Sequence, residues 1–387
     1  MPAAATWIDR PDALATAAAR WLAAADDVAL DTEFVFERTY RPRLGIVQIA
    51  VAGEIALIDA VRIPDLSALG PLLADPARRK LLHSGSGDLP ILRRAGGVAL
   101  RGLLDTQIAA AFAGLGPSLS YAALVKTLLG VDLAKHETRT DWLRRPLSPD
   151  QLRYAAEDVE YLPAVAADLE ERLRVLGRLE WALEDSATLA TLDGDTPDPE
   201  VAWRRVKGMD RLPASARAVA RSLAAWRERE ADRLDLARPF LLRDETLLAL
   251  AKRDALAPAD AAALPGYDAR RHAHQAPRWV AALQAARADV AAGTAPAEDP
   301  RTPPDVRDRQ QALEVRIAAL VTQRATELGL SSEQLLSRRQ RERAVETWLR
   351  TGGSLAAAVG GFRGAVLGPD LDALTIEGDA PTAAVPS

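Results

Sequence analysis

The sequence predicts an α/β domain with a mixed sheet flanked by helices, followed by two small all-α helical domains. Three observations carry this. Short apolar runs cluster near the N-terminus, with helical periodicity before, between and after them. Two proline-rich polar stretches interrupt the chain further on, and beyond the first of them no convincing strand occurs. At 387 residues the chain also exceeds one ordinary core, so two or three domains are expected.

PDALATAAARWLAAA (11–25) has helical periodicity. VALDTEF (28–34), LGIVQIAV (44–51) and EIALIDA (54–60) read as strands, the last two joined tightly at Gly53. Pro64 opens a helical segment through Leu73. KLLHSG (80–85) is another buried strand, followed by a helix from Asp88 to Ala95. VALRGLLDT (98–106) leads as a strand into a helix at Gln107, and the pattern from 118 to 177 is almost wholly helical. LDGDTPDPE (192–200) reads as a linker, and helical stretches follow at 215–233, 244–254, 257–264 and 276–286. TAPAEDPRTPPD (294–305) is a second linker, with helices then expected over 306–328, 332–350 and 354–361. The domains expected are 1–192, 209–290 and 306–375, with linkers at 193–208 and 291–305 and a disordered tail at 376–387.

Composition narrows the chemistry. The absence of cysteine excludes disulfides, thiolate metal sites and cysteine nucleophiles. With only five Tyr and five Phe against abundant Ala and Leu, helices are favoured over an all-β architecture. MPAAATWIDRPD lacks the basic and apolar regions of a signal peptide, and no uncharged apolar run approaches the roughly 20 residues that span a bilayer. A cytoplasmic protein without a membrane partner is expected. The net charge of −5 argues against a nucleic-acid partner, but the charge is uneven: residues 209–290 hold 14 Lys/Arg against 11 Asp/Glu, and 301–350 hold 10 against 7. The acidity therefore lies in the N-terminal half and the extreme tail.

Asp31 and Glu33 stand two apart on a predicted strand, so both carboxylates project from one face. Burying them is costly unless a cation neutralises them, and hard oxygen donors suit Mg²⁺ or Mn²⁺ rather than zinc. A solvated strand end is the alternative reading of this pair. In YAAEDVEYL (154–162), Tyr154 and Asp158 share one side of a helix, whereas Glu157 and Glu160 fall on other faces and are expected in solvent. Asp88, in HSGSGDLPIL (83–92), either caps the helix that begins there or joins a site whose glycines let a phosphate approach. Asp105 is expected to cap the helix at Gln107, and His83 to be a buried, hydrogen-bonded histidine.

The order of these segments resembles the tyrosine subtype of the DEDD exonuclease superfamily, and within it the ribonuclease D family. LDTEFVFERTYRPRLGIVQIA (30–50), HSGSGDLPIL, LLDTQIAAAF (103–112), WLRRPLSPDQLRYAAEDVEYL (142–162) and WRRVKG (203–208) carry the likeness. LPASARAVARSLAAWREREADRLDLARPFLLRDETLLALAKRDA, with LPGY at 264–267, resembles the helical (HRDC) domain shared by RecQ-type helicases and ribonuclease D, and 306–375 a second, degenerate copy. The resemblance implies a ribonuclease-H-like fold and a 3′→5′ exoribonuclease working by two-metal-ion catalysis. Asp31, Glu33, Asp88 and Asp158 would hold two Mg²⁺ or Mn²⁺ ions, and Tyr154 would position the attacking water. One ion would rest on Asp31, Glu33 and Asp158, and the other on Asp31 with Asp88, directly or through water. The partner implied is RNA with a free 3′ end, above all tRNA precursors, the chain acting as a monomer with no obligate protein partner. Phe34, Gln48, His83, Lys135 and Arg139 are candidates for contacts to that RNA, as are Phe36 by stacking and Arg238, Arg243, Lys252, Arg253, Arg270 and Arg271 by phosphate contact. The competing readings are the same chemistry on DNA and an inactive RNA-binding scaffold.

Overall fold

The computed structural model describes residues 5–133, 140–191, 198–298 and 303–375. The chain divides into two compact units. One comprises Met1–Glu33, Gly45–Leu192 and Arg301–Ser387; the other comprises Phe34–Leu44 and Asp193–Pro300.

The sheet has six strands, β1 (Thr6–Ile8), β2 (Val28–Val35), β3 (Arg43–Val51), β4 (Glu54–Asp59), β5 (Lys80–Leu82) and β6 (Leu103–Asp105), in the order β1-β4-β3-β2-β5-β6. It is mixed: β1 runs parallel to β4, β2 to β5 and β5 to β6, while β3 and β4 are antiparallel. The β3–β4 turn is closed by Ala52 and Gly53, both with positive φ, as a two-residue hairpin turn demands. Helices α1 (Pro11–Ala23), α2 (Gly70–Ala74), α3 (Asp88–Gly96), α4 (Thr106–Phe112), α5 (Tyr121–Leu129), α6 (Pro149–Glu160), α7 (Leu162–Val175) and α8 (Leu179–Thr191) accompany the sheet. The buried residues of β2, β5 and β6 (Ala29, Leu81, Leu104) share a core with Ala109 of α4, Val159 of α6 and Leu169 of α7.

The second unit is helical: α9 (Ala214–Leu234), α10 (Arg238–Leu241), α11 (Asp244–Ala251), α12 (Ala269–His272) and α13 (Ala276–Ala292). Its core, built on Val219, Leu223, Leu247 and Trp279, also takes in Tyr40 from the β2–β3 connection. The remaining helices, α14 (Pro304–Leu328), α15 (Ser332–Leu335), α16 (Arg338–Thr351), α17 (Leu355–Val359) and α18 (Gly361–Ala373), close over Leu313, Val345 and Trp348. They join the first unit through Phe362, whose ring stacks on Trp181 of α8 at 5.0 Å. Among the described residues no helix is long and apolar enough to cross a membrane.

Several boundaries differ from the sequence reading. β1 is a three-residue strand, too short to show a period. Helix does not begin at Pro64, because the Asp65 carboxylate accepts from the Ser67 N–H and holds a turn, so a 3₁₀ segment starts only at Ser67. The strand expected over 98–106 is only Leu103–Asp105. The run 118–177 is broken: α5 ends at Gly130, in the left-handed conformation, and α6 does not start until Pro149. The second proline-rich stretch is partly held down, since buried Arg221 donates to the Pro296 carbonyl at 2.6 Å.

The segment before α6 is fastened to the sheet by one arginine. Arg145 forms a fork to Asp59 at the end of β4 (2.8 and 2.6 Å) and also donates to the carbonyls of Gly45 and Trp142. Gly45 is needed at that point, since a Cβ there would lie 2.5 Å from the Trp142 oxygen. Burial alone would raise the Asp59 carboxyl, but hydrogen bonding and charge from Arg145 hold it below its ordinary value. Arg145→Ala should cost about 3–5 kcal/mol at pH 7, because it strands a buried carboxylate. The deficit against the parent should shrink as the pH falls below the ordinary carboxylate range and Asp59 is neutralised; thermal denaturation across pH 3–7 measures both.

Candidate active site

β2 enters the sheet as the wholly buried run Val28, Ala29 and Leu30 and then presents Asp31 and Glu33, two apart on one face and both partly buried. Helix α6 supplies the facing side chains. Its start is fixed by a capping box between Ser148 and Gln151 with Pro149 at the first turn, and Ala155, Ala156 and Val159 bury its inner face. Asp158 is thereby held against β2. Carboxylate oxygens of Asp31, Glu33 and Asp158 all lie within 4.8 Å of one another. Tyr154, one turn earlier on α6, hydrogen-bonds Asp158, and the Trp142 ring packs 6.1 Å from the Tyr154 ring.

Asp88, the first residue of α3, is buried and accepts a hydrogen bond from the Thr32 hydroxyl, between the two β2 acids. It stands outside the tight trio, yet its charge acts on Asp31 and Glu33. The loop that delivers Asp88 is braced by Asp105, which caps α4 as expected through the N–H groups of Gln107 and Ile108. The same carboxylate also takes the N–H groups of Ser84 and Gly85, at 3.2 and 2.8 Å. Ser84 occupies the left-handed region at φ 58°, a conformation those bonds offset.

Burial dominates the electrostatics of the cluster, with mutual repulsion added. It raises Asp31 far above the ordinary carboxylate range, with Asp88, Asp158 and Glu33 pushing the same way. Burial and then Asp158 and Asp88 lift Glu33 to about 8. Burial and Glu157 lift Asp158 to about 7 although its bond to Tyr154 opposes this, and burial lifts Asp88 to about 6 despite the Thr32 bond. Asp158 Oδ2 is buried without a hydrogen-bond partner. Four acids crowded together, one with an orphaned oxygen, are the donor set of a hard divalent cation, whose charge would cancel the repulsion.

Other expected residues fall differently. Phe34 is half-buried at the end of β2, and Phe36 is 60% exposed. Gln48 is wholly buried in the middle of β3 with neither amide atom partnered, so a direct contact to RNA is ruled out in this conformation. His83 is engaged on both ring nitrogens, by the Thr106 hydroxyl at 2.9 Å and the Leu119 carbonyl at 3.1 Å, so the expected hydrogen bonding is present, although the ring is half-buried and not buried. Glu157 and Glu160 are not solvated as expected. Both are half-buried, on a helix that α7 follows after a single residue. Lys135 and Arg139 lie outside the described residues. Two contributors went unforeseen. Thr32 was masked by its place between two acids. Tyr121, at the start of α5, feels the charges of Asp158 and Asp31 and donates to the Glu157 carbonyl.

A 3′-5′ exonuclease family model matches residues 5–174, and an HRDC domain model matches residues 216–283. Ribonuclease D of Xanthomonas oryzae pv. oryzae is 40% identical over 348 residues, covering 88% of this chain and 90% of its own. Ribonuclease D of Escherichia coli K12 is 35% identical over 354 residues, covering 90% and 93%. The crystal structure of E. coli RNase D, described as an exoribonuclease involved in structured RNA processing, superposes with a TM-score of 0.83 at 33% identity, over 96% of this chain and 98% of that one. A structure from Bifidobacterium adolescentis, at 22% identity and a TM-score of 0.73, shares the fold over 95% of this chain and 96% of its own. With the acidic cluster and the helical domain in place, the chain belongs to the ribonuclease D family of 3′→5′ exoribonucleases.

Proposed function

We propose that Asp31, Glu33, Asp88 and Asp158 hold two divalent cations, Mg²⁺ or Mn²⁺, and that the cluster hydrolyses the last phosphodiester of an RNA 3′ end, releasing nucleoside 5′-monophosphates. The observation that carries this is the meeting of carboxylate oxygens from β2 and α6 within 4.8 Å, with Asp158 Oδ2 lacking any partner. When bound, the ions supply Lewis-acid stabilisation of charge at phosphorus and a water of lowered pKa. The protein's own contribution is positioning. β2 sets Asp31 and Glu33 side by side, α6 sets Asp158 and Tyr154 opposite them, and Asp105 fixes the loop that carries Asp88.

Tyr154 cannot serve as a base near neutrality. Burial, and then Asp158, Glu33 and Asp31, push its phenol well above the ordinary value of 10, so it stays protonated. Its hydroxyl hydrogen is committed to Asp158, which leaves the oxygen as an acceptor for one hydrogen of a water molecule. That bond would turn the water's lone pair toward the phosphorus. We extend the reading to tRNA precursors and other structured RNAs, handled in the cytoplasm by a monomer. Its support is the structured-RNA role of the E. coli relative. We also take 306–375 as a second, degenerate helical module after 209–290.

The direct test is incubation with 3′- and 5′-labelled RNA and DNA, with Mg²⁺ or Mn²⁺ and then with chelator; failure to shorten RNA from its 3′ end would overturn the reading. Asp31→Asn should lower the rate by about 10³-fold. The same substitution should raise the melting temperature in chelator at pH 8, since it removes one of the repelling charges. Tyr154→Phe should cost about 10²-fold in kcat with the metal requirement unchanged, as expected of lost orientation.

A pH dependence follows from the raised carboxyls. A folded-state pKa above the unfolded value favours the protonated fold, so this part of the stability is complete below the ordinary carboxylate range. It is lost as the pH rises through about 6 for Asp88, about 7 for Asp158 and about 8 for Glu33. Divalent ions should therefore raise the melting temperature much more at pH 8 than at pH 5. An equal shift at the two pH values would show that the ions bind elsewhere.

A further inference from the structure

We propose that a cavity in the second unit binds the single-stranded 3′ segment of the RNA, stacking a base on Phe36 and seating phosphates on Arg205 and Lys207. The proposal rests on the exoribonuclease reading above and names where its substrate is gripped. The cavity is about 830 Å³ and is formed by the β2–β3 connection, the segment entering α9, and helices α10 and α11.

Phe36 stands on its rim at 60% exposure, an unusual position for a phenylalanine in a chain with only five. Beneath it Pro239, Leu242 and Leu248 give an apolar floor. Around the floor the lining carries five cations against three carboxylates, in a protein whose net charge is −5. Those cations divide into two kinds. Arg227 is paired with Asp244 at 2.7 Å, and Arg238 is paired with buried Glu228. Arg205 and Lys207 are exposed and have no ion-pair partner among the described residues. Arg243 is intermediate, 3.6 Å from Glu245 and with its Nε buried and unbonded.

The frame is rigid. Tyr40 donates to Glu228 at 2.6 Å, and Arg238 lies 4.8 Å over the Tyr40 ring while bonding the same carboxylate. The Ala237 N–H donates to the Arg38 carbonyl at 3.0 Å, and Arg41 pairs with Asp232 at 2.7 Å. Each bond ties the β2–β3 connection to the helices, so Phe36 is held at the cavity before any ligand arrives. An exposed aromatic face beside uncommitted cations is the pattern that takes single strands: the ring accepts any base, and the cations follow the backbone. A purely apolar partner would leave Arg205 and Lys207 unused. Phe36 also follows Glu33 by three residues, so the chain itself keeps the two within about 10 Å.

The test uses the full chain in chelator, with fluorescence anisotropy of a labelled single-stranded 12-mer RNA. Phe36→Ala should weaken binding by about 5- to 100-fold, and Phe36→Tyr should restore it. Arg205→Gln with Lys207→Gln should flatten the slope of log K against log salt by about 1.4, the share of two phosphate contacts on a single strand. A blunt RNA duplex should bind no more weakly to either variant than to the parent. Equal affinity of parent and Phe36→Ala would overturn the proposal, as would an unchanged salt slope, no measurable binding by the parent, or capture of an apolar peptide in place of RNA. Shortening of RNA by the parent with Mg²⁺ is scored separately. Its absence would end the exoribonuclease reading, whereas the cavity is judged on binding alone.

Discussion

Four carboxylates that repel one another have to be kept together, and much of the first unit is arranged around that demand. Burial and like charge raise Asp31, Glu33, Asp88 and Asp158 alike, so the acidic cluster opposes folding whenever it is ionised and unaccompanied. The surroundings hold it by bonds made elsewhere. β2 lies between β3 and β5, the capping box fixes where α6 starts, and Asp105 spends four backbone N–H bonds on two segments at once. None of these bonds uses a carboxylate oxygen of the cluster, where Asp88 accepts only from Thr32 and Asp158 from Tyr154 among the hydrogen bonds described above.

The same constraint decides what the phenol can be. Tyr154 sits in the field of three carboxylates, and its proton is held more firmly for that reason. Its usefulness is therefore geometric, as a donor to Asp158 and an acceptor toward water. Thr32 plays a comparable part for Asp88. A hydroxyl placed between two acids on the strand pins the acid of the neighbouring helix.

Much of this was legible in the sequence because it is periodic or local. The D-x-E pair on β2 and the Y-x-x-x-D pair on α6 are spacings that a strand and a helix turn into shared faces, and capping by Asp105 is a bond to residues two and three along. What escaped was set by distant partners. Arg145 meets Asp59 across 86 positions, and Tyr40 meets Glu228 across 188. No period in the sequence points to either. Gln48 misled for a different reason: its contact with RNA was implied by the family resemblance alone, and its neighbours bury it completely. Glu157 and Glu160 were assigned to solvent from the helical wheel of α6, which ignores the helix packed next to it.

The β2–β3 connection has a consequence for inheritance. The strand that carries Asp31 and Glu33 runs directly into residues that are packed as part of the helical unit, and the chain returns to the first unit at Gly45. Tyr40 is buried in that unit's core and bonded to its Glu228. A chain shortened to the nuclease alone would keep an eleven-residue excursion, Phe34–Leu44, shaped for a neighbour it no longer had. Loss of the module would have to be accompanied by rewriting of that loop, so the two should evolve as one.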